Sequence, residues 1–161
     1  MAGEALRARR LDWGVKQSFC GYVQSAGGTI ETAAGATRRE DGAFSFVPAP
    51  DSDLALSSDG VPVGAGRFLG EVKFSAHGGM LSVLLADPVV EIGPAGAVLT
   101  VAEDAARKRR LQVAKLDLPA AAPGEAGETV IPAALTLDGH FYLGDHYPPG
   151  TALDPVRVWW G

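Results

Sequence analysis

Apolar and polar residues alternate with a period of two through much of this chain, as in Val72, Phe74 and Ala76 set against Lys73, Ser75 and His77. That alternation belongs to strands with one buried face. Strand-like pieces read "GTIETA", "GAFSFVP", "DLALS", "RFLGEVKFSAH", "MLSVLLADPVVEI", "AVLTVA", "RLQVAKLDL", "ETVIPAALTL" and "DPVRVWWG". The 21 glycines and 11 prolines are spread through all 161 residues rather than gathered in one linker, as expected of many short strands joined by turns. The predicted fold class is all-β, with sandwich-like antiparallel sheets and one or two short helices in a single domain. Gly78-Gly79, between two strand patterns, predicts a two-residue hairpin turn with positive φ. His77 and Met80 then stand at its mouth.

Near the start the period changes. Leu11, Val15, Phe19 and Tyr22 form one apolar stripe at helical spacing, which predicts a short helix capped by Asp12 with that stripe against the core. Residues two apart on a helix point roughly 200° away from each other, so Cys20 and Tyr22 do not share a face. "PAAAPGEAGE", 119–128, reads as a mobile connecting loop. "EDAARKRR" reads as a single helical turn whose basic end, Arg107 to Arg110, is a solvated edge. Asp154-Pro155 reads as a structural stop. Trp159 and Trp160, adjacent on a strand, must point to opposite faces, leaving at least one either exposed or covered by something. Residues 1–10 read as an N-terminal extension and 11–161 as the domain.

Composition narrows the classes of function. A net charge of −5 and a pI near 5.1 would repel a phosphate backbone and argue against a nucleic-acid partner. One cysteine, Cys20, precludes an internal disulfide framework and fits a reducing compartment. "MAGEALRARRLDWG" has charge with no apolar run behind it, unlike a secretory signal. No segment approaches the ~20 apolar residues that span a bilayer. As written, the chain reads as cytoplasmic, without membrane insertion.

The standard short motifs for zinc, serine hydrolysis and nucleotide binding are missing: there is no C-x-x-C, H-E-x-x-H, G-x-S-x-G or Walker loop. The chemistry-bearing residues are then His77, His140 and His146 with Tyr22, Tyr142 and Tyr147. Taken singly, each is ordinarily structural.

Four collinear stretches change that weighting. "WGVKQSFCGYV", "AGGTIETAAGATRREDGAFSFV", "EVKFSAHGGMLSVLLADPVVEI" and "HYPPGTALDPVRV" resemble the successive motifs of the HtaA domain, the heme-binding module of corynebacterial heme-uptake proteins. The similarity runs from about Leu11 to Val158. It implies an all-β module that holds one ferric heme b, with Tyr22, at the end of W-G-V-K-x-S-F-x-x-Y, as the axial iron ligand. It implies also that His77, in F-x-x-H-x-G, is hydrogen-bonded to that tyrosine. Many relatives carry a charged residue where Cys20 stands, which implies a position outside the core. Phe19 is a candidate aromatic wall for the porphyrin, and Tyr147 matches a family tyrosine and is a second candidate pocket residue. His146 beside it is a further conceivable iron ligand, set against the rigid turn that two prolines suggest.

Elementary chemistry is consistent with the pairing. A phenol titrates near ~10 in water, so at neutral pH it ligates well only where a metal supplies charge or a neighbour tunes it by hydrogen bonding. Phenolate oxygen favours ferric over ferrous iron. The expected partners are heme itself and a heme-donor or heme-acceptor protein, with oligomers open. The alternative is a small cytosolic enzyme acting on another flat apolar molecule, with Tyr22 and His77 as an acid/base pair.

Overall fold

The computed structural model describes residues 6–144 and 146–161. β1 (Leu6–Trp13) leads into α1 (Gln17–Ser25), followed by β2 (Thr29–Ala33), β3 (Thr37–Arg38) and β4 (Phe44–Pro48). Next come β5 (Ala55–Leu56), β6 (Pro62–Val63), β7 (Ala65–Leu69) and β8 (Glu71–Ala76). A single 3-10 turn, His77–Gly79, joins β8 to β9 (Leu81–Gly93). β10 (Gly96–Ala102) and β11 (Arg110–Leu116) precede a second 3-10 turn, Leu118–Ala120, and the short β12 (Ala122–Pro123). β13 (Thr129–Leu135), α2 (Leu137–Tyr142) and β14 (Ala152–Trp160) complete the chain.

β4, β7, β9, β10, β11, β13, β14 and β1 hydrogen-bond in that order, all antiparallel, and β1 pairs in turn with β4 through Leu11 opposite Phe46 and Trp13 opposite Phe44. The sheet thus closes on itself, which leaves these eight strands without a free edge of the kind that invites aggregation. Inward positions of the alternating pattern, among them Leu11, Trp13, Phe44, Phe46, Leu99, Ile131 and Val156, are fully buried. The all-β, single-domain expectation is borne out, as one closed, sandwich-like barrel.

β9 serves two neighbourhoods. Its first half, Leu81 to Ala86, pairs with β8, and β8 pairs with β2, so a three-stranded branch leaves the ring. Its second half pairs with β10 and β7. The bend between them sits at Asp87-Pro88, where Asp87 has φ +47, its N–H donates to Gly70 O at 2.8 Å and its carboxylate accepts from Gly70 N at 3.1 Å.

α1 packs on this branch. Phe19, Cys20 and Val23 are buried, and Phe19 meets Phe74 of β8 edge-on with centroids 5.1 Å apart. Burying a side chain of that size contributes on the order of 2–3 kcal/mol. At Gly28 a β-carbon would lie 2.8 Å from Val23 O and closer still to Ser75 O. Only glycine allows the end of α1 to approach β8 so closely.

Several expectations are corrected. Leu11 and Asp12 lie on β1, and the helix begins only at Gln17. Leu11 faces the core from a strand and Phe19 from a helix, so two elements of different period mimicked one stripe; Val15, with φ +61, marks the break between them. Asp12 caps nothing: it is buried, pairs with Arg10 at 3.1 Å and accepts from Ser45 and Trp159, the latter at 2.9 Å. The helix start is served from the far end of the chain, where the Asp154 carboxylate accepts from Gln17 N at 3.4 Å. β1 also takes in residues 6–10 of the segment read as an extension.

The turn after β8 uses three residues rather than two: His77, Gly78 and Gly79 have φ of +55, +65 and +95. Residues 103–109 form no helix, and although Lys108, Arg109 and Arg110 are exposed as a solvated edge would be, the Arg107 and Arg110 side chains are engaged. Arg107 donates to Glu71 at 2.6 Å and Asp87 at 2.7 Å, while Arg110 donates to Asp87 O at 2.6 Å. Together they knit the bend of β9, and the two carboxylates hold the Arg107 guanidinium above its usual range. The 119–128 stretch carries the end of a 3-10 turn and β12, which pairs with β13. Trp159 is covered by the Arg10 guanidinium 4.5 Å above its ring, and Trp160 donates to Thr129 Oγ1 at 2.9 Å.

Candidate functional site

Because α1 turns Phe19, Cys20 and Val23 inward, Tyr22 falls on its outer face. It is 36% exposed, whereas the apolar stripe placed it against the core. Cys20 departs from expectation in the opposite direction: it is 1% exposed, and burial pushes its thiol from 9.0 up to about 11. A thiol so held is a poor nucleophile and a poor ligand. The two side chains do point away from each other.

His77 comes to Tyr22 from the β8–β9 turn. Its Nε2 lies 2.7 Å from the Tyr22 hydroxyl oxygen. Nothing local joins these residues, which are 55 positions apart. Contact depends on Phe19 and Val23 seating α1 on the branch strands and on the left-handed turn aiming the imidazole back across the helix.

The pair opens onto a groove of about 540 Å³. Leu81 and Val83 of β9 and Leu143, just after α2, line it, with Met80 and Phe141 at the rim. Met80 is 92% and Phe141 64% exposed. α2 is held in place at both ends. Thr136 accepts from Gly139 N at 2.9 Å as its cap, and the Tyr142 hydroxyl donates to Leu84 O at 2.6 Å while accepting from Leu84 N at 3.1 Å. Burial raises the Tyr142 phenol above its ordinary value.

The other two candidate residues stand behind this wall. Phe19 is fully buried against Phe74. Tyr147 is half-buried, its hydroxyl 2.7 Å from Ser18 Oγ on α1, and its carbonyl accepts from His140 Nδ1 at 2.6 Å. Neither lines the groove. His146, by contrast, does line it, with its ring centroid 4.7 Å from that of Tyr22.

Chemically, a phenol whose oxygen meets an imidazole nitrogen has two uses. With Nε2–H as donor, the oxygen keeps lone pairs for a Lewis acid; with Nε2 as acceptor, the imidazole can take the phenol proton. Among the described residues no cluster of three His, Cys, Asp or Glu could hold a bare metal ion. No helix among them is long and apolar enough to cross a membrane.

The HtaA family profile matches residues 8–159. The chain belongs to the HtaA family. Among solved structures it is similar to the N-terminal domain of HtaA from Corynebacterium glutamicum, at 23% identity and a TM-score of 0.73 over 98% of both chains. The C-terminal domain of the same protein matches at 24% identity and a TM-score of 0.69, over 98% of this chain and 99% of that one. Heme binding protein HtaB from C. glutamicum matches at 19% identity and a TM-score of 0.64, over 98% of this chain and 94% of that one. No curated protein matches the chain by sequence.

The HtaA motifs converge in space. The first spans β1 and α1 and the third β8, its turn and β9; they meet at Tyr22 and His77. The fourth runs into β14 and reaches α1 through Tyr147 and Ser18. Sequence reading missed Leu81, Val83, Tyr142 and Leu143 as groove walls. Signals existed for three of them: for Leu81 and Val83 in the alternation of "MLSVLL", and for Tyr142 in the S/T-type cap at Thr136 that announces α2.

Proposed function

We propose that this HtaA-family protein binds ferric heme b in the groove, with Tyr22 supplying a phenolate oxygen to the iron and His77 holding that oxygen by a hydrogen bond. The observation that carries the reading is the 2.7 Å contact between Tyr22 and His77 at the mouth of an open groove lined by both apolar and polar side chains. The residues suit the group. A volume near 540 Å³ falls within the roughly 300–1,000 Å³ of small-molecule sites. The exposed Met80 and Phe141 offer apolar contact to a flat ring system, over a floor of buried Leu81, Val83 and Leu143, and an anionic oxygen is the donor that ferric iron prefers. Cys20 is buried away from the groove, which favours a non-covalently held heme over a thioether-linked one.

Heme when bound supplies a Lewis-acidic iron and a flat apolar surface. The chain supplies the rest. Tyr22 gives up its proton to solvent, and His77 then donates Nε2–H to the phenolate, so that the oxygen stays aimed into the groove. Release would need only a proton: one returned to the Tyr22 oxygen would leave it a neutral phenol, a weaker donor to iron than the phenolate. The exposed Met80 and Phe141 at the rim provide an apolar approach for a donor or acceptor protein.

The test is a hemin titration of the purified protein. A Soret band with phenolate-to-iron charge-transfer absorption is expected, and both should be lost in Tyr22→Ala. Spectra unchanged by that substitution would reject Tyr22 as ligand.

A further inference from the structure

Of the three histidines, two have their ring nitrogens engaged: His77 Nε2 with Tyr22, and His140 Nδ1 with the Tyr147 carbonyl. His146 differs. Among the described residues, no hydrogen bond engages its ring, although it is exposed and lines the groove. The ring packs on the Tyr22 phenol at 4.7 Å and 50° and lies 6.2 Å from Phe19.

Its place is prepared by its neighbours. Gly144, with φ +87, turns the chain out of α2. On the other side Tyr147 is tied twice, by its carbonyl to His140 and by its hydroxyl to Ser18. The Nε2–Cδ2 edge of His146 lies beside Gly144, where even a β-carbon would come within 3.5 Å of it. Gly144 is itself part of the groove wall.

We infer that His146 is a second, nitrogen donor to the same groove, so that one pocket offers a hard oxygen at Tyr22 and a borderline nitrogen at His146 on adjacent points of one wall. The inference rests on the groove being a porphyrin site. The two donors suit different metals: anionic oxygen favours a trivalent ion, imidazole a divalent one such as zinc. The groove therefore discriminates between metalloporphyrins by the charge of the metal, using different residues for each.

The test uses two redox-inert probes, gallium(III) and zinc(II) protoporphyrin IX, titrated by fluorescence against wild type, Tyr22→Phe, His146→Ala and His77→Ala. His146→Ala should lower zinc-porphyrin affinity about tenfold more than gallium-porphyrin affinity, and Tyr22→Phe should do the reverse, one axial bond being weighed against the other. In 15N-labelled wild type, a His146 ring-nitrogen resonance should shift on adding the zinc porphyrin. His146 is exposed, so circular dichroism of His146→Ala should match wild type. The inference is overturned if His146→Ala leaves the ratio of the two affinities within about twofold of wild type, or if His77→Ala is the variant that loses zinc-porphyrin binding. Wild type that takes neither porphyrin overturns the function as well. Gallium binding that depends on Tyr22, with zinc binding indifferent to His146, removes only the second donor.

Discussion

His77 is asked to do two things that glycine separates. It occupies φ +55 at the head of the β8–β9 turn, a conformation that costs an L-residue about 1–2 kcal/mol, and it hydrogen-bonds Tyr22 at 2.7 Å. His77→Gly relieves the first and deletes the second. Relief of strain is offset by the entropy that glycine loses on folding, roughly 0.5–1 kcal/mol, and by the loss of an exposed neutral hydrogen bond, about 0.5–1 kcal/mol. The terms nearly cancel, so stability should change by no more than ~1 kcal/mol, or about 2–4 °C in Tm for a domain of this size. Ligand binding should not be spared. A hydrogen bond to an ionised oxygen is worth about 1.5–3 kcal/mol, and the exposure of this pair argues for the low end, a loss of about tenfold in hemin affinity. The assay pairs a hemin titration with a thermal melt followed by circular dichroism. Hemin affinity within about twofold of wild type would refute a tuning role for His77. A fall in Tm of about 10 °C or more would refute the cancellation and make the histidine structural.

Two further outcomes concern the frame. The folded state holds the Cys20 proton more tightly than the unfolded chain, with the thiol raised from 9.0 to about 11; the stability this reflects is complete below pH 9 and lost as the pH rises towards 11, by roughly 2–3 kcal/mol. Urea midpoints at pH 8 and pH 10.5 should therefore diverge in wild type and much less in Cys20→Ala, and equal losses in both would clear the thiol of responsibility. Arg107→Ala leaves Glu71 and Asp87 facing each other without their shared cation at the bend of β9. It should cost about 1–3 kcal/mol and be partly rescued by added salt, which screens the repulsion; a variant as stable as wild type in low salt would leave Arg107 without a part in holding the bend.

Strand content was legible because burial on one face imposes a period of two that survives in sequence: Val72, Phe74 and Ala76 could be assigned to the inner face of β8 without knowing what they pack against. The two halves of the proposed site were marked for a different reason. Each sits in a short motif, one ending at Tyr22 and the other centred on His77, whose order along the chain resembles that of the HtaA domain. Where the reading failed, tertiary context had overruled local pattern. Leu11 and Phe19 share the core from two elements of different geometry, and Asp154 stabilises the start of α1 from β14, a contact that no window around Gln17 contains. Cys20 looked peripheral and is buried because α1 lies rotated so that Tyr22 faces out.

By itself, then, the sequence determined the fold class and a glycine turn between β8 and β9, since these follow from patterns a few residues long, while the choice of Tyr22 and His77 as candidates came from the longer HtaA resemblance. Only the tertiary structure decided that the barrel closes through β1 and β4, that Tyr22 and His77 stand within hydrogen-bonding distance, and that Leu143 and His146 complete the groove around them. Those are relations between residues tens of positions apart. They arise from how buried side chains such as Phe19 and Phe74 fit together, and that fit has no short-range signature.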